Sequence, residues 1–124
     1  MAADKPSQAE LEILQSLWDR GTATVREVYT DIQAHRSVGY TTTLKQMQRM
    51  VEKDLIEKVS SSGRSHQYKA KLRPQRARNA LVDRLINTAF DGSANALVLH
   101  ALGRKKPNKA QIAEIRALLD EMEK

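Results

Sequence analysis

Cysteine is absent from the 124 residues. That excludes a disulfide framework, a thiolate nucleophile and a cysteine metal centre, and it suits a reducing cytoplasm. Aromatic residues are scarce, one Trp, one Phe and three Tyr, so any core is mainly aliphatic. Three prolines and five glycines leave long stretches free to be helical. No run of about 18 apolar residues occurs and no apolar segment opens the chain, so neither membrane insertion nor signal-peptide export is expected. There is no Gly-rich phosphate loop, nucleophile elbow or acid–base pair, and no enzyme activity is expected. His35, His66 and His100 are dispersed, without carboxylates at ligand spacing. No metal and no other cofactor is therefore expected.

What the chain does have is positive charge, unevenly spread. Residues 1–35 carry three basic and six acidic side chains, residues 36–71 eight and three, residues 72–124 ten and six. The net +6 is thus absent from the first segment and begins near residue 36. A polyanion is the natural partner of such a distribution.

The patterning predicts a mainly α chain. Ser7 with Glu10 forms a capping box that opens a helix with Leu11, Leu14, Leu17 and Trp18 on one stripe, ended by Gly21. Thr24 with Glu27 is a second capping box, opening a helix with Val25, Val28, Tyr29 and Ile32 inside. A third helix begins at Thr41-Thr42-Thr43, whose hydroxyls are expected to cap it. Tyr40, Leu44, Met47 and Val51 fall on its inner face, and Thr42, Lys45, Gln46, Arg49 and Lys53 on its outer face. Two extended runs follow, 56–60 and 66–70, around the small, basic tip Ser61-Ser62-Gly63-Arg64-Ser65. Three helices and a hairpin in that order predict a winged helix-turn-helix.

From Pro74 the pattern changes. Ala77, Leu81, Leu85 and Ala89 recur at spacing four up to Asp91-Gly92. Ser93 caps a helix carrying Leu97, Val98, Ala101 and Leu102, and Gly103–Pro107 is a basic break. Asn108 with Gln111 opens a last helix with Ile112, Ile115, Leu119 and Met122 at 3-4-3 spacing, a narrow seam. Three helices with stripes this thin need a further surface, either the winged helix or a second copy of the chain, and the second copy is favoured. The expected division is a DNA-binding winged helix over residues 1–72 and a helical dimerisation domain over 73–124.

Several segments together resemble the BlaI/MecI penicillinase-repressor family, which includes CopY-type copper repressors. They are residues 7–29, residues 39–58 beginning GYTTTLKQ, Gly63-Arg64 with Tyr68, residues 90–102 reading FDGSANALVLHAL, and the closing helix with Leu118, Leu119, Asp120 and Glu121. The resemblance spans nearly the whole chain in the family's order. It implies a repressor that binds palindromic operator DNA as a homodimer and controls β-lactam-resistance or related genes. It also implies a membrane sensor and protease pathway as a partner. In the staphylococcal members a sensor-triggered cut falls at an Asn-Phe bond, and the matching pair here is His100-Ala101. The cysteine site of the copper sensors is missing.

On these grounds Thr41, Thr42, Lys45 and Gln46 are the expected base readers, being at the N-terminal end of the third helix. Arg49 and Lys53 are assigned to phosphate, and Arg64 to backbone or minor groove. Two rival readings have their own requirements. A protein-interaction winged helix requires an apolar or acidic face where Lys45 and Gln46 stand. A small-molecule-responsive regulator requires an effector pocket, which the sequence does not reveal.

Overall fold

In a computed structural model of the chain, residues 5–59 and 66–124 are described. The order is α1 (Gln8–Arg20), α2 (Val25–Gln33), α3 (Tyr40–Glu52), β1 (Ile56–Val59), β2 (Gln67–Ala70), α4 (Pro74–Ala89), α5 (Ala94–Arg104) and α6 (Lys109–Met122). The first five elements make the winged helix-turn-helix, and three helices follow it.

Helix starts obey the side-chain chemistry. At α1 the Ser7 amide donates to Glu10 Oε1 at 2.9 Å and the Glu10 amide to Ser7 Oγ at 3.2 Å. Thr24 and Glu27 do the same for α2, at 2.8 and 3.1 Å. Asn108 and Gln111 repeat the arrangement at α6, at 2.9 and 2.8 Å. Each pair satisfies amides that a helix start leaves without partners. Gly21 closes α1 at φ 84°, where a Cβ would be strained.

The core of the N-terminal region is one aliphatic cluster. Ile13, Leu14 and Leu17 of α1 meet Val28 and Ile32 of α2, Met47 and Met50 of α3, and Leu55 and Ile56 at the start of the hairpin. β1 and β2 pair antiparallel, with Ile56 opposite Ala70 and Val59 opposite Gln67. On its other edge β2 is bridged by Ala23, whose amide and carbonyl exchange hydrogen bonds of 3.0 and 2.8 Å with Tyr68. The hairpin is thereby tied to the α1–α2 connection. The indole of Trp18 donates to the Leu72 carbonyl at 2.9 Å, which fixes where the chain leaves the hairpin.

By internal contacts the chain forms two compact units, Met1–Val82 and Asp83–Lys124. The division falls inside α4. Ala77 is fully buried in the first unit's core, so the first turns of α4 belong to the winged helix. The spacing-four stripe of α4 is not a buried seam: Leu81 is half-buried, and Leu85 and Ala89 are exposed. In the second unit, α5 and α6 contain no buried residue. Val98, Leu99, Leu118, Leu119 and Met122 are 51–69% exposed. α5 also runs to Arg104, so Gly103 is helical and the break is confined to 105–108.

Candidate nucleic-acid interface

The inner face of α3 differs from its expected register. Thr43, Met47 and Met50 are the buried residues, whereas Leu44 and Val51 are half-buried and Tyr40 is 36% exposed. At 100° per residue this turns the helix by roughly 60° from the Tyr40/Leu44/Met47/Val51 stripe. Two causes are visible. The Thr43 hydroxyl donates to the Gly39 carbonyl at 3.1 Å, so its polar atom is satisfied inside. Tyr40 is held outside the core by Tyr29 and Arg26: the two rings meet edge-on at 5.7 Å, and the Arg26 guanidinium lies 4.5 Å from the Tyr40 centroid.

The rotation decides what α3 presents. Thr41, Thr42, Lys45 and Arg49 are exposed. Gln48 and Glu52 are exposed as well, and neither belongs to the outer face expected from the sequence. Gln46 is half-buried at its margin. Glu52 stands in the last turn, so the N-terminal half of the outer face is free of acid. Among the described residues neither Lys45 nor Arg49 has an acidic partner. The threonine cluster does not cap the helix. Its N-cap is Gly39, with no side-chain hydrogen bond to the first-turn amides, so the Thr41 and Thr42 hydroxyls are left to face outward.

Lys53 is occupied elsewhere. Its Nζ lies 2.6 Å from Oε2 of Glu10, a residue only 4% exposed. Burial works against the charged form of Glu10, but hydrogen bonds from Lys53 and the Ser7 amide outweigh it and hold the carboxyl below its ordinary value. Lys53 therefore joins the end of α3 to the start of α1, a structural partner beside the phosphate contact expected of it. On the hairpin, Lys58 and Lys69 are exposed. Arg64, the expected wing contact, lies outside the described residues.

The expected dimer residues are scattered over open helix surface. Val98, Ala101, Leu119 and Met122 are exposed, and Leu97, Leu102, Ile112 and Ile115 half-buried. Leu99 and Leu118 are among the most exposed apolar side chains and extend the same apolar content. His100 and Ala101 are both exposed on α5, with the His100 ring 5.7 Å from that of Phe90. Among the described residues no group of three His, Cys, Asp or Glu is placed to hold a metal ion, and no helix is long and apolar enough to cross a membrane.

The profile of the penicillinase repressor family matches residues 6–121. The penicillinase repressor of Staphylococcus aureus is 21% identical over 118 residues, 95% of this chain and 93% of that protein. The transcriptional regulator BlaI of Mycobacterium tuberculosis is 29% identical over 116 residues, 92% of this chain and 82% of that protein. A solved structure of Bordetella bronchiseptica BpsR, described in terms of regulation of its DNA binding by 6-hydroxynicotinic acid, aligns with 20% identity and a TM-score of 0.46, over 96% of this chain and 76% of that one.

Proposed function

The chain belongs to the penicillinase repressor family, and from that membership we propose that this transcriptional repressor binds a two-fold symmetric operator as a homodimer, one winged helix per half-site. Thr41, Thr42, Lys45 and Gln46 read base edges in the major groove, where lysine and glutamine match guanine and adenine acceptors and donors. Arg49 and the wing residue Arg64 hold backbone phosphate. The regulated genes are those of β-lactam resistance or a related response, and release is under a membrane sensor and protease pathway.

One observation carries the reading. Lys45 and Arg49 stand exposed on the outer face of the second helix of a helix-turn-helix, without acidic partners among the described residues. Four other cations in this unit are matched to carboxylates: Arg20 to Asp31, Arg36 to Glu12, Lys53 to Glu10 and Lys71 to Asp54. Unmatched cations on a groove-sized helix favour a polyanion over an apolar protein surface. That preference disfavours the protein-interaction alternative.

The test is a mobility-shift titration with the promoter region of the protein's own operon at two salt concentrations. A shifted complex is expected whose affinity falls steeply with salt, as phosphate neutralisation requires. Folded protein that leaves this duplex and an unrelated one unshifted at low salt would refute DNA binding.

A further inference from the structure

We propose that Arg26 is a DNA-phosphate site built into the start of α2 and joined to α3 through Tyr40. The proposal rests on the DNA-binding reading and extends it to a residue outside the α3 face and the wing. Arg26 sits in the first turn of α2. Its guanidinium carbon lies 4.5 Å from the Tyr40 ring centroid and 5.7 Å from that of Tyr29. The two rings meet at 77°, so the guanidinium rests on a two-sided aromatic support. Ring contact uses the face of a guanidinium and leaves its in-plane N–H groups free to donate.

Those donors have no acid to meet. Glu27, next in sequence, accepts from the Thr24 amide at 2.8 Å and lies 3.5 Å from Arg20. Among the described residues no carboxylate pairs with Arg26. The other two arginines of the α1–α2 region, Arg20 and Arg36, are each bound to carboxylates at 2.8 and 2.6 Å. A shallow cleft of about 180 Å³ opens beside Arg26, with Thr24, Tyr40, His66 and Tyr68 among its walls. A planar, oriented, unpaired guanidinium over such a cleft matches the fork geometry that a phosphate oxygen pair accepts.

The position suits the duplex. In a helix-turn-helix the first helix of the motif crosses the DNA backbone while the second enters the groove. Arg26 is at the leading end of the first and Tyr40 is the first residue of the second. A phosphate held by Arg26 is therefore tied, through one ring, to the depth at which Thr41 and Lys45 reach the bases.

The experiment is a scan of the promoter duplex with single neutral methylphosphonates, run on the full chain and on Arg26→Ala and Arg26→Lys. In the unaltered protein one phosphate per half-site is expected to weaken binding roughly tenfold when neutralised, the size of one charged hydrogen bond. Arg26→Ala should lose sensitivity at that phosphate alone, bind all sequences more weakly, and lower the salt slope by roughly one per winged helix. Arg26→Lys keeps the charge but not the ring-supported fork, so an intermediate loss is expected. Thermal melts of both variants separate lost contact from lost folding. If Arg26→Ala, folded, keeps the full methylphosphonate pattern and salt slope while Lys45→Ala loses sequence preference, DNA binding stands and the phosphate site does not. If the unaltered chain binds no duplex, both fail.

Discussion

Lys45 and Lys53 lie eight residues apart on or just past one helix, and the structure gives them different surroundings. Lys45 faces outward without an acidic partner among the described residues, whereas Lys53 neutralises a buried carboxylate. Their alanine variants are expected to diverge. Lys45→Ala should cost about 1–3 kcal/mol of operator affinity and relax sequence preference. Lys53→Ala should instead cost about 1–3 kcal/mol of folding stability, the range for a hydrogen bond to a charged group, with little change in affinity of the folded fraction. Melting curves and titrations on matched and mismatched duplexes separate the two. A Lys45→Ala loss that is uniform across sequences would make it a phosphate contact. Asp31 supplies a pH test. Arg20 donates to both its oxygens at 2.8 Å and Ser16 adds a third bond at 2.6 Å, and these bonds, against partial burial, bring its pKa from 3.8 to about 2. A depressed carboxylate stabilises the fold fully above its unfolded value and loses that contribution as pH falls towards the folded one. The loss should therefore fall between about pH 4 and pH 2. Asp31→Asn should flatten that part of the stability profile, and identical acid-melting curves for the two proteins would refute the assignment.

At the scale of elements, the helix starts with capping boxes were legible in the sequence and helix rotation was not. Ser7/Glu10, Thr24/Glu27 and Asn108/Gln111 are local patterns whose chemistry closes within four residues, so reading them needs no knowledge of the rest of the fold. The inner face of α3 depends on distant partners. Thr43 is expected among the capping threonines, yet it is buried and its hydroxyl is satisfied by the Gly39 carbonyl. Hydrophobicity placed Tyr40 inside, yet Tyr29 and Arg26 hold it at the surface. The Lys53–Glu10 pair has no local signal either, since Glu10 lies 43 residues away in sequence. The Ala23–Tyr68 bridge likewise has no local signal. The glycine cap of α3 gives the element's own prediction. Gly39 has an extended backbone, φ −85° and ψ 154°, and a Cβ there would meet only Thr42 Oγ1 at 3.9 Å. Gly39→Ser should therefore fit and supply the missing cap, stabilising the protein by a few tenths of a kcal/mol. Thermal denaturation checks it, and a lowered midpoint would show that the first-turn amides already have a better arrangement with glycine.

For the whole molecule, the two units differ in how they bury apolar surface. The first closes a core around Leu14, Val28 and Met47, each 0% exposed. The second leaves Leu99 at 64% and Met122 at 69%, and exposed apolar side chains mark an association surface where they are contiguous. A second copy of the chain is the proposed cover. A fragment of residues 1–82 should then fold, remain monomeric by sedimentation, and bind the full operator far more weakly than the intact chain, because the two half-sites are no longer linked. A fragment ending at residue 73 should be less stable still, since it removes Ala77 from the core. Equal operator affinity for the 1–82 fragment and the intact protein would overturn the dimer reading.

In the proposed dimer, release from DNA follows from the same linkage, because whatever disconnects the paired helices dissolves the avidity. The bond His100–Ala101 lies inside α5, while the non-helical stretch between α5 and α6 is 105–108. A protease must bind its substrate in an extended form, which a helical bond offers only after local unfolding and a connecting segment offers directly. Lys105 and Lys106 are exposed in that segment. If induction is proteolytic, the cut is therefore expected within residues 90–107, with the 105–107 connection favoured over His100–Ala101. A cut there separates α6, with Ile112, Ile115, Leu118 and Leu119, from the rest of the apolar surface. Immunoblotting before and after inducer exposure, followed by mass spectrometry of the fragment's C-terminus, locates the bond. A terminus at His100 would return the site to the position the staphylococcal resemblance implies. Full-length protein in fully induced cells would exclude cleavage and favour release by an effector or a partner.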